Sequence, residues 1–278
     1  MDIAKQLKEE LQIELWQVGA VIQLIDEGNT IPFIARYRKE KHGSLDDEQL
    51  RNLSERLTYL RNLEDKKKQV LASIEEQGKL TEELKAQILA ATTQVVVEDL
   101  YRPYRPKRRT RATIAKEKGL EGLANIIYMQ LTNAPITEEA KAYLSEEKEV
   151  HTIEEAIQGA KDILAETISD EADYRMHIRE MTVRDGIITS TAKDEETQSV
   201  YEMYYSFEEK INKIAGHRVL ALNRGEKEKI LTVKVEAPEE QILAYLEKHI
   251  IRKENPHTKD ILKDTIADSC LLYTSDAA

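Results

Sequence analysis

The chain has 278 residues, 33% of them charged and only 5% aromatic, with ten glycines, six prolines and a net charge of −11. That length buries a sizeable core without disulfides or a structural metal, and the scarcity of glycine, proline and aromatic residues argues against a barrel, a sandwich or a disordered chain. The lone Cys270 excludes a disulfide framework, and no stretch offers the roughly 20 apolar residues of a membrane span.

Taken in chain order, Ile3, Leu7, Leu11, Leu15, Val18, Ile22 and Ile25 recur every three or four residues and predict one helix from Ile3 to Glu27, ended by Gly28. Thr30 then caps a short turn carrying Pro32, and Phe33 to His42 collects Arg36, Arg38, Lys39 and Lys41. Asp46 to Gln77 reads as a single long helix on Leu50, Leu53, Leu57, Leu60, Leu71 and Ile74, its stripe broken by Glu64 and Lys67. Thr81 restarts a helix after Gly78, and Val95 to Leu100 is read as helix despite three valines in a row.

Thr110 to Lys118 predicts a short helix closed by Gly119, followed by an apolar face that Pro135 interrupts. Thr152 and Glu155 form a capping box ahead of Ile157, Ala160, Ile163, Leu164 and Ile168. Ile187–Ala192 and Ile230–Val235 are the two strand candidates, so the fold class is mainly α: a multi-helix array with one long helix and at most a small β-sheet. Further helices follow Pro238 and begin near His257. The expected division is a helical domain over 1–135 and a second, mainly helical region over 136–269. Residues 270–278 lose the charge pattern without supplying a helix stop and read as a non-native tail.

Catalytic signatures are absent. The glycines form neither G-x-G-x-x-G nor G-x-x-x-x-G-K, the six histidines are scattered, and no nucleophile elbow occurs. His177 and Glu180, three residues apart, fall on one helical face as two ligands of a metal would, but in so acidic a chain such a pair arises by chance. Acidic doublets such as Asp46-Asp47 stand at helix starts, where the helix dipole favours them. The expectation is a cytoplasmic, non-enzymatic protein with no metal, no cofactor, no small-molecule substrate and no membrane contact.

One segment departs from the acidic average. From Tyr101 to Lys118 eight basic residues face one acidic one, a local charge of +7 that leaves −18 on the rest of the chain. Arg102, Arg105, Lys107, Arg108, Arg109 and Arg111 supply forked or point-charge donors for phosphate. Tyr101 and Tyr104 offer rings for stacking, and Pro103 and Pro106 stiffen the backbone. About six phosphate contacts would make log affinity fall with log salt at a slope near −4 to −5. The competing reading folds the same guanidiniums onto carboxylates of the chain itself. Arg36, Arg38 and Lys39 form a second, weaker basic cluster.

The strings IPFIARYRKE (31–40), YRPYRPKRRTRATIA (101–115) and HRVLALNRGE (217–226) resemble the Tex family of bacterial transcription accessory proteins, and the similarity runs from the N-terminus to about Ser269. The resemblance implies a multidomain nucleic-acid binder, of which this chain corresponds to the N-terminal helical region with a helix-turn-helix-like element. The family's RNase-H-like domain, helix-hairpin-helix units and OB-fold RNA-binding domain lie outside it. The implied partners are RNA or DNA, bound without sequence selectivity, and the transcription machinery. The alternative is a purely structural region that braces those other domains.

Overall fold

A computed structural model describes residues 2–106 and 109–275, with side chains as far as residue 270. Two compact units divide at Tyr104 and Arg105. Among the described residues there are fifteen α-helices and one three-stranded sheet, a mainly helical architecture.

The first unit opens with two helices rather than one, α1 (Ile3–Leu11) and α2 (Leu15–Asp26). Gln12 takes a left-handed conformation at φ 54°, and Glu14 then caps α2 by reciprocal bonds with Gln17. This break corrects the predicted continuous helix: a Glu-x-x-Gln box works as the usual Ser/Thr box does, with the carboxylate in place of the hydroxyl. It also turns α2 so that Leu15 is 42% exposed, while Val18, Val21 and Leu24 face inward.

α3 (Ile31–Tyr37) and α4 (Lys39–His42) follow, and α5 (Asp47–Glu76) is the long strut that the leucine spacing predicts. Its first half buries Leu50, Leu53, Leu57 and Leu60 with Leu7, Val21 and Ile34; its second half packs Leu63, Val70 and Ile74 on α6 (Glu82–Ala90) and α7 (Gln94–Tyr101). The interruption at Lys67 is a buried ammonium. Lys67, 2% exposed, donates to the Leu89 carbonyl at 2.9 Å and pairs with Glu64 at 3.0 Å, so a cation stands where an apolar residue would otherwise be.

The second unit comprises α8 (Arg111–Glu117), α9 (Glu121–Met129), α10 (Ile136–Ala140), α11 (Ile153–Asp170), α12 (Ala172–Asp185), α13 (Gly216–Lys227), α14 (Glu239–Ile250) and α15 (Lys259–Ser275). The Thr152 capping box forms as expected, with Glu155 accepting from the His151 and Thr152 amides and thereby held below the usual carboxylate range. α11 is the central helix and packs against α8, α9, α10 and α15. Helices α8 and α9 therefore share a core with α11, although the sequence expectation put a boundary at 135 between them.

The sheet orders β2–β1–β3, antiparallel throughout: β1 (Ile187–Ala192) pairs with β2 (Ser206–Lys210) and β3 (Leu231–Glu236). β1 and β3 match the two predicted strands within a residue at each end. β2 is an addition, polar enough (Ser-Phe-Glu-Glu-Lys) that only Phe207 marks its inner face.

Candidate nucleic-acid interface

Within the first unit, α7 ends at Tyr101 and a 3-10 turn carries Arg102–Tyr104. The Tyr101 hydroxyl meets Ser73 Oγ at 3.0 Å, Gln77 donates to the Tyr104 carbonyl at 2.9 Å, and both rings pack against the Leu63–Ile74 cluster. Any stacking by Tyr101 or Tyr104 competes with this packing. Arg102 is half-buried.

Within the second unit Arg105 is exposed, and Thr110 caps α8 by accepting the Thr113 amide at 3.0 Å. This cap fixes Arg109 and Arg111 on either side of a helix start. Arg109 pairs with Glu117 at 2.9 Å and Arg111 approaches Asp162 at 3.6 Å, yet their side chains remain 69% and 68% exposed. Each of these arginines therefore touches a carboxylate of the chain and presents most of its surface to solvent. Lys116 is exposed on α8, and Lys118 donates to the Glu149 carbonyl at 2.8 Å. Lys107 and Arg108 lie outside the described residues.

Beside α8 a cavity of about 400 Å³ is lined by Lys116, Glu121, Asn125, Tyr128, Glu171 and Tyr174. Burial and the nearby Asp173 carboxylate raise the Glu171 carboxyl, and burial raises the Tyr174 phenol. His177, weighed above as a metal ligand with Glu180, stacks on Tyr245 with ring centres 4.1 Å apart.

The weaker basic cluster sits on α3 and α4. Ile34 and Ala35 face the core and leave Arg36 exposed, while the Arg38 guanidinium lies 4.9 Å over the Phe33 ring and donates to the Tyr37 carbonyl at 3.0 Å. Lys39 and Lys41 are exposed. His42 pins this turn from inside, its Nε2 on the Ile34 carbonyl at 3.3 Å and its Nδ1 accepting the Leu45 amide at 3.1 Å. Sequence reasoning passed over Trp16, which is 58% exposed and rests on Gly43 at the end of α4. The available signal was its place two residues after Glu14, the cap that starts a new helix.

Two family regions match the chain: the Tex-like protein N-terminal domain over residues 1–75 and the Tex central region over residues 132–270, the latter half of the chain. The chain belongs to the Tex family. It is 49% identical over 270 residues to YdcI of Bacillus subtilis, covering 96% of this chain and 38% of that protein. It is 44% identical over 237 residues to the transcriptional accessory protein Tex of Neisseria gonorrhoeae, covering 84% and 31%. Against the human S1 RNA-binding domain-containing protein 1 the identity is 32% over 244 residues, covering 84% and 24%. This Tex chain therefore spans between 24% and 38% of the length of these relatives. Its basic stretch at 101–118 falls between the two matched regions, while Trp16, Arg36, Arg38 and Lys39 lie inside the N-terminal one. Among the described residues of this Tex chain, no helix is long and apolar enough to cross a membrane.

Proposed function

We propose that this Tex chain is a non-enzymatic, cytoplasmic nucleic-acid-binding scaffold that contacts phosphates of RNA or DNA through its basic stretch and works with the transcription machinery. One observation carries the reading: Arg109 and Arg111 remain about two-thirds exposed in a chain of net charge −11, although each has a carboxylate within reach. Cations left in water on an anionic body are where a polyanion is steered first. Arg105 and Lys116 extend the same charge, and the names of the Neisseria and human relatives, a transcriptional accessory protein and an S1 RNA-binding domain-containing protein, agree with this class of partner. Contacts of this kind position a strand and carry little sequence information.

The test is fluorescence anisotropy of labelled RNA and DNA across a salt series, for the wild-type chain and for the Arg105→Glu/Arg109→Glu/Arg111→Glu variant. The expected result is a log–log salt slope that becomes shallower by about 2 to 3 in the variant. Equal slopes would refute the assignment. A second reading, a bracing region for other domains, is favoured by the exposed apolar side chains Val200, Met203 and Leu220, at 86%, 75% and 61% exposure. Under that reading neither protein binds either polymer.

A further inference from the structure

Trp16 is the chain's single tryptophan, and more than half of its surface is in water. Its placement is built rather than accidental. Gly43 caps α4 at φ 65°, a left-handed conformation that suits glycine, and a methyl group there would come within 2.5 Å of the indole edge. The Gln17 amide donates to the His42 carbonyl at 3.1 Å, so α2 is tied to the end of α4, and buried His42 ties α4 in turn to α3 and to Leu45. The indole therefore stands on a rigid corner.

The same corner carries Tyr37, 61% exposed, its ring 5.2 Å from that of Phe33, which lies under the Arg38 guanidinium. Tyr37 ends α3 and Gly43 caps α4, so the two stand on either side of the four-residue α4. From Phe33 to Gly43 four cations, Arg36, Arg38, Lys39 and Lys41, face the single carboxylate Glu40. Arg36, Lys39 and Lys41 form no ion pair among the described residues. Exposed Tyr37 within this stretch of charge +3, and exposed Trp16 against its Gly43 end, have on a chain of −11 the chemistry of a surface that stacks bases and neutralises phosphates. Duplex bases are already stacked on one another, so such rings select single strands.

We propose that the α2–α3–α4 corner is a binding site for single-stranded nucleic acid, with Trp16 and Tyr37 stacking on bases and Arg36, Lys39 and Lys41 meeting phosphates. This rests on the reading of the chain as a nucleic-acid binder, but not on its basic stretch. Rigid placement of the rings lowers the ordering that binding would otherwise require.

Because Trp16 is the only tryptophan, its emission reports on its own stacking. The whole chain is titrated at low salt with labelled oligo(U), oligo(dT) and a mixed-sequence duplex of equal length, with anisotropy and tryptophan emission read together. Single strands are expected to quench the emission along the same saturation curve as the anisotropy, and the duplex to leave it unchanged. Trp16→Leu should weaken single-strand binding by about 5- to 100-fold, the range set by loss of one base–aromatic stack, and Lys39→Glu/Lys41→Glu should shift the quenching midpoint of the chain that keeps Trp16 in the same direction. Anisotropy that rises without quenching would place the strand elsewhere and overturn this site while leaving the nucleic-acid reading intact. Equal quenching by the duplex would overturn the stacking role. No anisotropy change with any oligomer would overturn both readings and leave the corner to a protein partner.

Discussion

The side chain of Gln130 donates to the main-chain carbonyl of Ile250 at 2.8 Å, across 120 positions of sequence. Its Oε1 accepts the amides of Arg252 and Lys253, each at 3.1 Å, and Gln130 is only 4% exposed. Asn255 returns the contact by donating to the carbonyls of Gln130 at 3.1 Å and Thr132 at 2.9 Å. One side chain thus satisfies three main-chain groups where α14 gives way to the loop before α15. Gln130→Leu fills the space but orphans those groups. A loss of about 2–4 kcal/mol follows from the cost of unpaired buried polar groups, measured by urea unfolding. A change under about 0.5 kcal/mol would show that water replaces the amide.

The spacing of α5, the Thr152 box and the strands β1 and β3 were legible because each depends on neighbours within a few residues. Long-range pairings were not. That Tyr101 packs inward depends on Ser73, 28 positions away, and the role of Gln130 depends on a segment beyond Ile250. The break between α1 and α2 was hidden because its apolar repeat runs on unbroken while Gln12 reverses the backbone. With that break missed, the exposed ring of Trp16 was passed over. In the basic stretch composition fixed the sign of the charge, but which cations stay in water was decided by the fold around Glu117 and Asp162.

Acid should weaken the first unit through Glu10. Arg56 reaches its carboxylate with Nε at 2.5 Å and Nη2 at 2.7 Å and holds the Glu10 carboxyl below its ordinary value of 4.5, with Gln6 adding a further bond. A group whose pKa is depressed on folding contributes fully above its unfolded value and loses that contribution as pH falls through the folded one. The stabilisation is therefore complete at neutral pH and declines below about pH 4.5. Glu10→Gln should remove about 0.5–1 kcal/mol at pH 7, the scale of a partly exposed pair, and flatten the acid limb of a stability–pH profile. An unchanged limb would contradict the assignment.

Gly159 sets the distance from α11 to α8 and to the start of α9. A methyl group there would lie 2.4 Å from Leu120 Cδ1 and 3.2 Å from Ala115 Cβ, both on buried residues. Gly159→Ala gains about 1 kcal/mol of helix propensity and forfeits about 1–3 kcal/mol to overpacking. The packing term wins, so the melting temperature should fall. Because α8 carries Arg111 and Lys116, the displacement should also weaken RNA binding. A melting temperature that rises would show that Leu120 yields without cost.

If the basic stretch binds nucleic acid as proposed, the carboxylates beside it compete with phosphate. Arg109 must exchange Glu117, and Arg111 must exchange Asp162, for any polyanion it grips. Surface pairs of this kind are worth about 0.2–1 kcal/mol, so neutralising one frees up to about a fivefold gain in affinity. Glu117→Gln and Asp162→Asn should therefore each tighten RNA binding by about two- to fivefold at low salt. The gain should shrink as salt screens the added charge. The pairs involve different carboxylates, so the double variant should show roughly the product of the single effects. Binding left unchanged by both substitutions, measured by anisotropy at two salt concentrations, would mean that these arginines do not leave their partners when nucleic acid arrives.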